Sequence, residues 1–206
     1  MLIDGGDGRG RYFAGWSADA KSVIYRLQDF AHRTSAVIKQ RLDNSEVQDL
    51  FRVSGTRTNL TEADVSPDGK QVAFVFFADS SLPPTLQVVS ADGGDTRQVL
   101  RAPAGYEIGT LTWSADSRYI FFVLNRAAAD SASAAGSGVE KSRIMRVAAT
   151  GGPAQETGVA MDHIGWLHAH PDGQHVGFTA GGQAMEVWLM ENFLPKADAG
   201  ATSKPR

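Results

Sequence analysis

The stretch Ser66-Pro67-Asp68-Gly69-Lys70-Gln71-Val72-Ala73-Phe74 decides the fold, because it recurs three more times along the chain. The copy before it is Ser17-Ala18-Asp19-Ala20-Lys21-Ser22-Val23-Ile24-Tyr25. Those after it are Ser114-Ala115-Asp116-Ser117-Arg118-Tyr119-Ile120-Phe121-Phe122 and His170-Pro171-Asp172-Gly173-Gln174-His175-Val176-Gly177-Phe178. The four aspartates are spaced 49, 48 and 56 residues apart. A self-similar period of roughly 40–50 residues matches one four-stranded propeller blade.

Each position in the repeat has a physical reason. A short inner strand ends just before the Ser or His, at Trp16, Val65, Trp113 and Ala169. The next four residues are turn chemistry: Pro presets φ, Asp bonds to nearby backbone amides, and Gly tolerates positive φ. Copies one and three carry Ala20 and Ser117 at the glycine position, which weakens those two turns. An apolar strand follows, with an aromatic at a fixed place: Tyr25, Phe74, Phe122 and Phe178. Continuous apolar runs such as Val72 to Phe77 fit a strand covered on both faces by neighbouring blades.

Moving outward, Gln48 to Gly55, Thr85 to Gly94 and Arg143 to Gly152 each read as a third strand closed by a Ser-Gly or Gly-Gly turn. Polar outer strands are expected after them, at Thr56–Leu60 and Thr96–Leu100. The connection 28–46 is expected to hold a short helix around Ser35 to Leu42, and 126–141 is an Ala/Ser/Gly-rich loop. Ile3-Asp4-Gly5-Gly6-Asp7 matches Ala91-Asp92-Gly93-Gly94-Asp95, so the chain is expected to begin inside a blade. Met185 to Met190 reads as a third strand with no Gly-Gly turn after it. The segment near Asp7 to Phe13 is expected to supply the missing outer strand and latch the ring.

The sequence resembles the TolB-like, WD40-like β-propeller repeat family. The resemblance rests on Ser-Pro-Asp-Gly-Lys at 66–70, on Trp-Ser-Ala-Asp at 16–19 and 113–116, and on Asp-Gly-Gly at 92–94. The expected fold is all-β, a β-propeller of four-stranded antiparallel blades, about four in this chain and part of a larger ring. Residues 1–195 are read as blades centred near 17–25, 66–74, 114–122 and 170–178, and 196–206 as a disordered C-terminal tail. Open blade faces at an incomplete ring are expected to favour self-association.

Composition excludes several classes. The chain has 206 residues, 42% hydrophobic and 21% charged, with a net charge of −3 and no cysteine. Disulfides and thiolate metal sites are therefore excluded. Lys and Arg are scattered singly, so no nucleic-acid surface is expected. No apolar run approaches the roughly 18 residues of a membrane helix, so no membrane insertion is expected. MLIDGGDGRG lacks the basic and apolar regions of a signal peptide.

Candidate chemistry is sparse. His163, His168 and His170 cluster around an inner strand, and His168 with His170 makes a His-x-His pair, a metal-ligand spacing. Substitution of the turn serine by His170 is the plainer reading. Asp92-Gly93-Gly94-Asp95 reads as a turn rather than a calcium loop. The Ser-x-Asp turns do not match a sialidase Asp-box. No Gly-x-Ser-x-Gly nucleophile elbow or phosphate-binding glycine loop occurs. Trp16 and Trp113 end inner strands at matching places and are expected to pack between blades.

No catalytic, cofactor-binding or metal-binding residue is assigned, and no cofactor is expected. The chain is expected to be a non-catalytic scaffold that binds a protein or peptide partner. The resemblance implies the bacterial periplasm or cell envelope. The alternatives are the propeller module of a larger enzyme such as a serine peptidase, or a metal-dependent lactonase-like propeller.

Overall fold

A computed structural model describes residues 8–127, 141–181 and 186–191. Blade one is an antiparallel meander of β1 (Arg9–Trp16), β2 (Ser22–Asp29), β3 (Thr34–Arg41) and β4 (Val47–Ser54). Blade two holds β5 (Asn59–Val65), β6 (Gln71–Phe77), β7 (Thr85–Ser90) and β8 (Arg97–Arg101). Blade three holds β9 (Tyr106–Trp113), β10 (Tyr119–Arg126), β11 (Ser142–Ala148) and β12 (Gln155–Met161). Blade four shows three strands, β13 (Gly165–Ala169), β14 (His175–Ala180) and β15 (Glu186–Glu191). No helix occurs among the described residues. The fold is an all-β, four-blade propeller arrangement, and the inner strands end at Trp16, Val65, Trp113 and Ala169 as expected.

The turn after each inner strand is built by its own side chains. In blade two the Ser66 hydroxyl donates to Asp68 Oδ1 at 2.6 Å and accepts the Gln71 amide at 2.9 Å. The Lys70 amide donates to the same carboxylate oxygen. Ser17 with Asp19, and Ser114 with Asp116, repeat this arrangement. Ala20 and Ser117 adopt φ of 54° and 59°, the left-handed conformation that Gly69 and Gly173 take at 69° and 70°. Each non-glycine residue held there costs about 1–2 kcal/mol.

The core lies between blades rather than within one. Ile24, Val37 and Leu50 of blade one meet Leu60, Val72 and Phe74 of blade two. Val75, Leu86 and Val88 meet Trp113, Phe122 and Val147 across the next interface. Phe121, Val123 and Ile144 meet Leu167, Val176 and Phe178 across the third. Each repeat aromatic from blade two onward thus points at the preceding blade. Burying one such side chain stabilises by about 1.5–3 kcal/mol. Tyr25 sits on the other face of blade one, in a separate cluster with Val23, Leu27, Ala36 and Ile38.

Inner strands pack in sequence, β1 on β5, β5 on β9 and β9 on β13. The described residues of β13 and β1 make no comparable packing. Phe13 and Trp16 on blade one, and Val187 and Leu189 on blade four, are exposed.

Four local expectations are corrected. Ser35 to Leu42 is not helical, because Thr34–Arg41 is the third strand of blade one. Val47–Ser54 is then the outer strand, and Asn59–Leu60 belongs to the inner strand of blade two. Residues 9–13 do not latch blade four, because Arg9 to Phe13 pair with Tyr25 to Asp29 inside blade one. Ile3 to Asp7, the loop 128–140 and the tail 196–206 lie outside the described residues.

Candidate functional site

Every inner strand slips register against its second strand, and the slips fall at matching heights. On β5, Leu60 faces Phe76 and Ala63 faces Phe74, so Thr61 and Glu62 share one opposing residue. On β9 the irregularity spans Gly109 and Thr110, between Ile108 and Leu111. On β13 it spans Trp166 and Leu167, between Gly165 and His168. On β1 it falls at Ala14, between Phe13 and Gly15. A bulge re-aims side chains that a regular ladder would direct into the neighbouring sheets.

These slips line one pocket of about 560 Å³ to which all four blades contribute. Tyr12 and Phe13 come from β1, Thr61 to Ala63 from β5, Thr110 from β9, and Gly165 with Trp166 from β13. Arg26 reaches in from β2. Tyr12, Phe13 and Trp166 are 45%, 58% and 71% exposed, so aromatic surface is accessible at the pocket. Trp166 also adopts φ of 47°, a strained conformation for a bulky side chain. Such strain persists where surrounding structure over-determines it, commonly at functional sites.

Arg26 is held in place. Its guanidinium stacks on the Tyr12 ring at 3.9 Å, and Nη1 donates to the Leu60 carbonyl at 3.0 Å and to Gln28 Oε1 at 3.2 Å. Burial pushes its pKa down, and the charge of Glu62 works against that. Burial likewise pushes the Glu62 carboxyl up, opposed by Arg26. The pocket thus offers a fixed cation, a carboxyl beside it, and aromatic surface. Such a set places aromatic surface beside polar and charged atoms.

Asp64, two residues from Glu62, stitches the inner strands together. Its Oδ2 accepts the Trp113 amide at 3.2 Å, and its carbonyl accepts the Trp113 indole N–H at 3.0 Å. Desolvation raises its pKa to about 6, against the hydrogen bonds its carboxylate accepts from the Trp113 amide and the Thr112 side chain.

The two sequence-matched tryptophans part company. Trp113 is 2% exposed between blades two and three, as expected of a packing residue. Trp16 is 52% exposed, so it does not pack between blades among the described residues. His163 and His168 do not gather with His170 around one point; His170 meets Asp172 and His175 instead. Asp92 lies in a turn where Lys39 Nζ approaches its carboxylate at 3.2 Å and donates to the Ala91 carbonyl. Sequence reasoning assigned none of the pocket residues. Its signal would have been Gly15, Gly109 and Gly165, the glycines beside the register slips.

The fold and pocket define a β-propeller of antiparallel blades around a shared inner face. No family model matches the chain, and no curated protein matches it in sequence. Solved structures do. TolB from Acinetobacter baumannii superposes with a TM-score of 0.62 at 16% identity, over 93% of this chain and 43% of that one. An oligogalacturonate lyase in complex with manganese gives 0.65 at 14% identity, over 94% and 53%. Prolyl endopeptidases give 0.62 at 15% identity, over 89% and 28%. The chain therefore spans about half the length of these proteins or less, and shares their propeller fold.

The expectation that the chain is not an enzyme is corrected by these neighbours. A lyase and peptidases carry the same fold, and a fold does not specify chemistry. Absence of a nucleophile elbow is therefore no ground for excluding catalysis.

Proposed function

We propose that this chain is a ligand-binding propeller module whose inner-face pocket receives a peptide segment of a protein partner. The observation that carries the reading is the convergence of Tyr12, Phe13 and Trp166 around Arg26 and Glu62, drawn from blades one, two and four beside their register slips. Exposed aromatics beside a stacked arginine are the side chains that dominate binding energy at protein interfaces. Likeness to TolB supports the bacterial cell envelope as the compartment.

The test is selection of a binding peptide from a displayed library, followed by calorimetric titration. Trp166→Ala is expected to weaken the selected peptide about tenfold or more. Arg26→Lys keeps the charge but loses the planar stack on Tyr12, and is expected to weaken it several-fold. Unchanged affinity in both variants, each with wild-type thermal unfolding, would overturn the reading.

A further inference from the structure

The tight turn of blade four departs from its three sisters in one chemical respect. Where Ser17, Ser66 and Ser114 stand, it has His170; where Ser22, Gln71 and Tyr119 stand, it has His175. Asp172 lies between them. Its Oδ1 accepts the Gln174 amide at 2.8 Å and the His175 amide at 3.2 Å. The turn backbone therefore fixes the carboxylate and leaves Oδ2 to the imidazoles. Oδ2 is 3.0 Å from His170 Nδ1 and 2.5 Å from His175 Nδ1. One ligand atom from each of the three residues lies within 4.8 Å of the others.

The Asp172 amide also donates to His170 Nδ1 at 3.2 Å, which favours a lone pair on that nitrogen. A nitrogen lone pair and a carboxylate oxygen then face each other across 3.0 Å. Two ligand atoms on one tetrahedral ion, with bonds of about 2.0–2.1 Å, stand about 3.3 Å apart. A cation between them resolves the repulsion. His170 also donates its backbone N–H to the His175 carbonyl at 2.9 Å, so the ligands sit on hydrogen-bonded ends of one hairpin.

We propose that His170, Asp172 and His175 form a divalent transition-metal site on the blade-four turn, with its remaining coordination positions open to water or to an anionic ligand group. Two imidazole nitrogens and one carboxylate suit zinc, cobalt(II) or nickel; calcium and magnesium prefer oxygen. The ion clamps β13 to β14, and its binding stabilises the folded state by mass action.

The test uses the untagged, chelator-stripped full chain, titrated with zinc and with cobalt(II), read by calorimetry and by the cobalt absorption bands. His170→Ser rebuilds the turn of the other three blades, so it removes a ligand while supplying the residue those turns use. The expected result is one equivalent of zinc per wild-type chain, a higher melting temperature with zinc, and at least tenfold weaker binding in His170→Ser. His175→Gln serves as a second variant and is expected to weaken binding likewise. No zinc binding by the wild type, or undiminished binding in both variants, would overturn the proposal.

Discussion

The turns of blades two and four share Pro, Asp and Gly, yet they meet their neighbours differently. A methyl group on Gly69 would come within 2.3 Å of the Ala18 amide nitrogen, so turn two presses its backbone onto turn one. The Asp68 amide also donates to the Ser117 hydroxyl at 3.2 Å, tying turn two to turn three. At Gly173 the nearest such contact is the Ala115 methyl at 3.6 Å, an ordinary approach. Turn two is a keystone between two blades, whereas turn four is held by fewer neighbours and carries histidines. The same backbone motif stabilises the disc in one place and is free to acquire chemistry in another.

That contrast predicts unequal costs for one substitution. Gly69→Ala combines left-handed strain with a backbone clash and is expected to destabilise by roughly 2–5 kcal/mol. Gly173→Ala carries the strain alone, about 1–2 kcal/mol. Urea unfolding of both variants measures the difference, and equal losses would erase the distinction between the two turns.

Asp64 provides the next largest effect, at the inner strands rather than the turns. Its folded pKa of about 6 lies above the unfolded value of 3.8. The folded state therefore binds the proton more tightly, and stability from this group is fully present below about pH 4. It falls as pH rises through 6 and is absent above that, a change of about 2–3 kcal/mol. Asp64→Asn is expected to flatten this slope in denaturation curves recorded between pH 4 and 7. The smallest effect concerns Ala20, held at φ of 54°. Ala20→Gly relieves strain but adds freedom to the unfolded chain, leaving a net gain of about 0.5–1 kcal/mol in thermal unfolding.

Much of the fold was legible because the repeat states it locally. Ser66, Asp68 and Gly69 write a turn whose hydrogen bonds involve residues a few positions apart, and Phe74 marks the buried strand beyond it. Blade one misled because Ser54-Gly55 follows β4 and imitates the turn that closes the third strand elsewhere. Thr34–Arg41, which has Lys39 and Arg41 and no Gly-Gly after it, carries no such strand signal of its own. The pocket was not legible, because a register slip is a relation between two strands. Gly15, Gly109 and Gly165 stand beside three of the slips, but Thr61 and Glu62 have no sequence feature that announces theirs. His175 was missed for a similar reason: its partner position is an ordinary strand start in the other blades.

Peptide recognition is placed at the register slips of the inner strands and not at the tight turns of blades one and two. The most direct measurement is amide hydrogen exchange with and without the selected peptide. Added protection is expected at Thr61 to Ala63, Gly109 to Thr110 and Gly165 to Trp166, with the turns 17–22 and 66–71 unchanged. Protection confined to those turns, with the inner-strand slips unaffected, would contradict it.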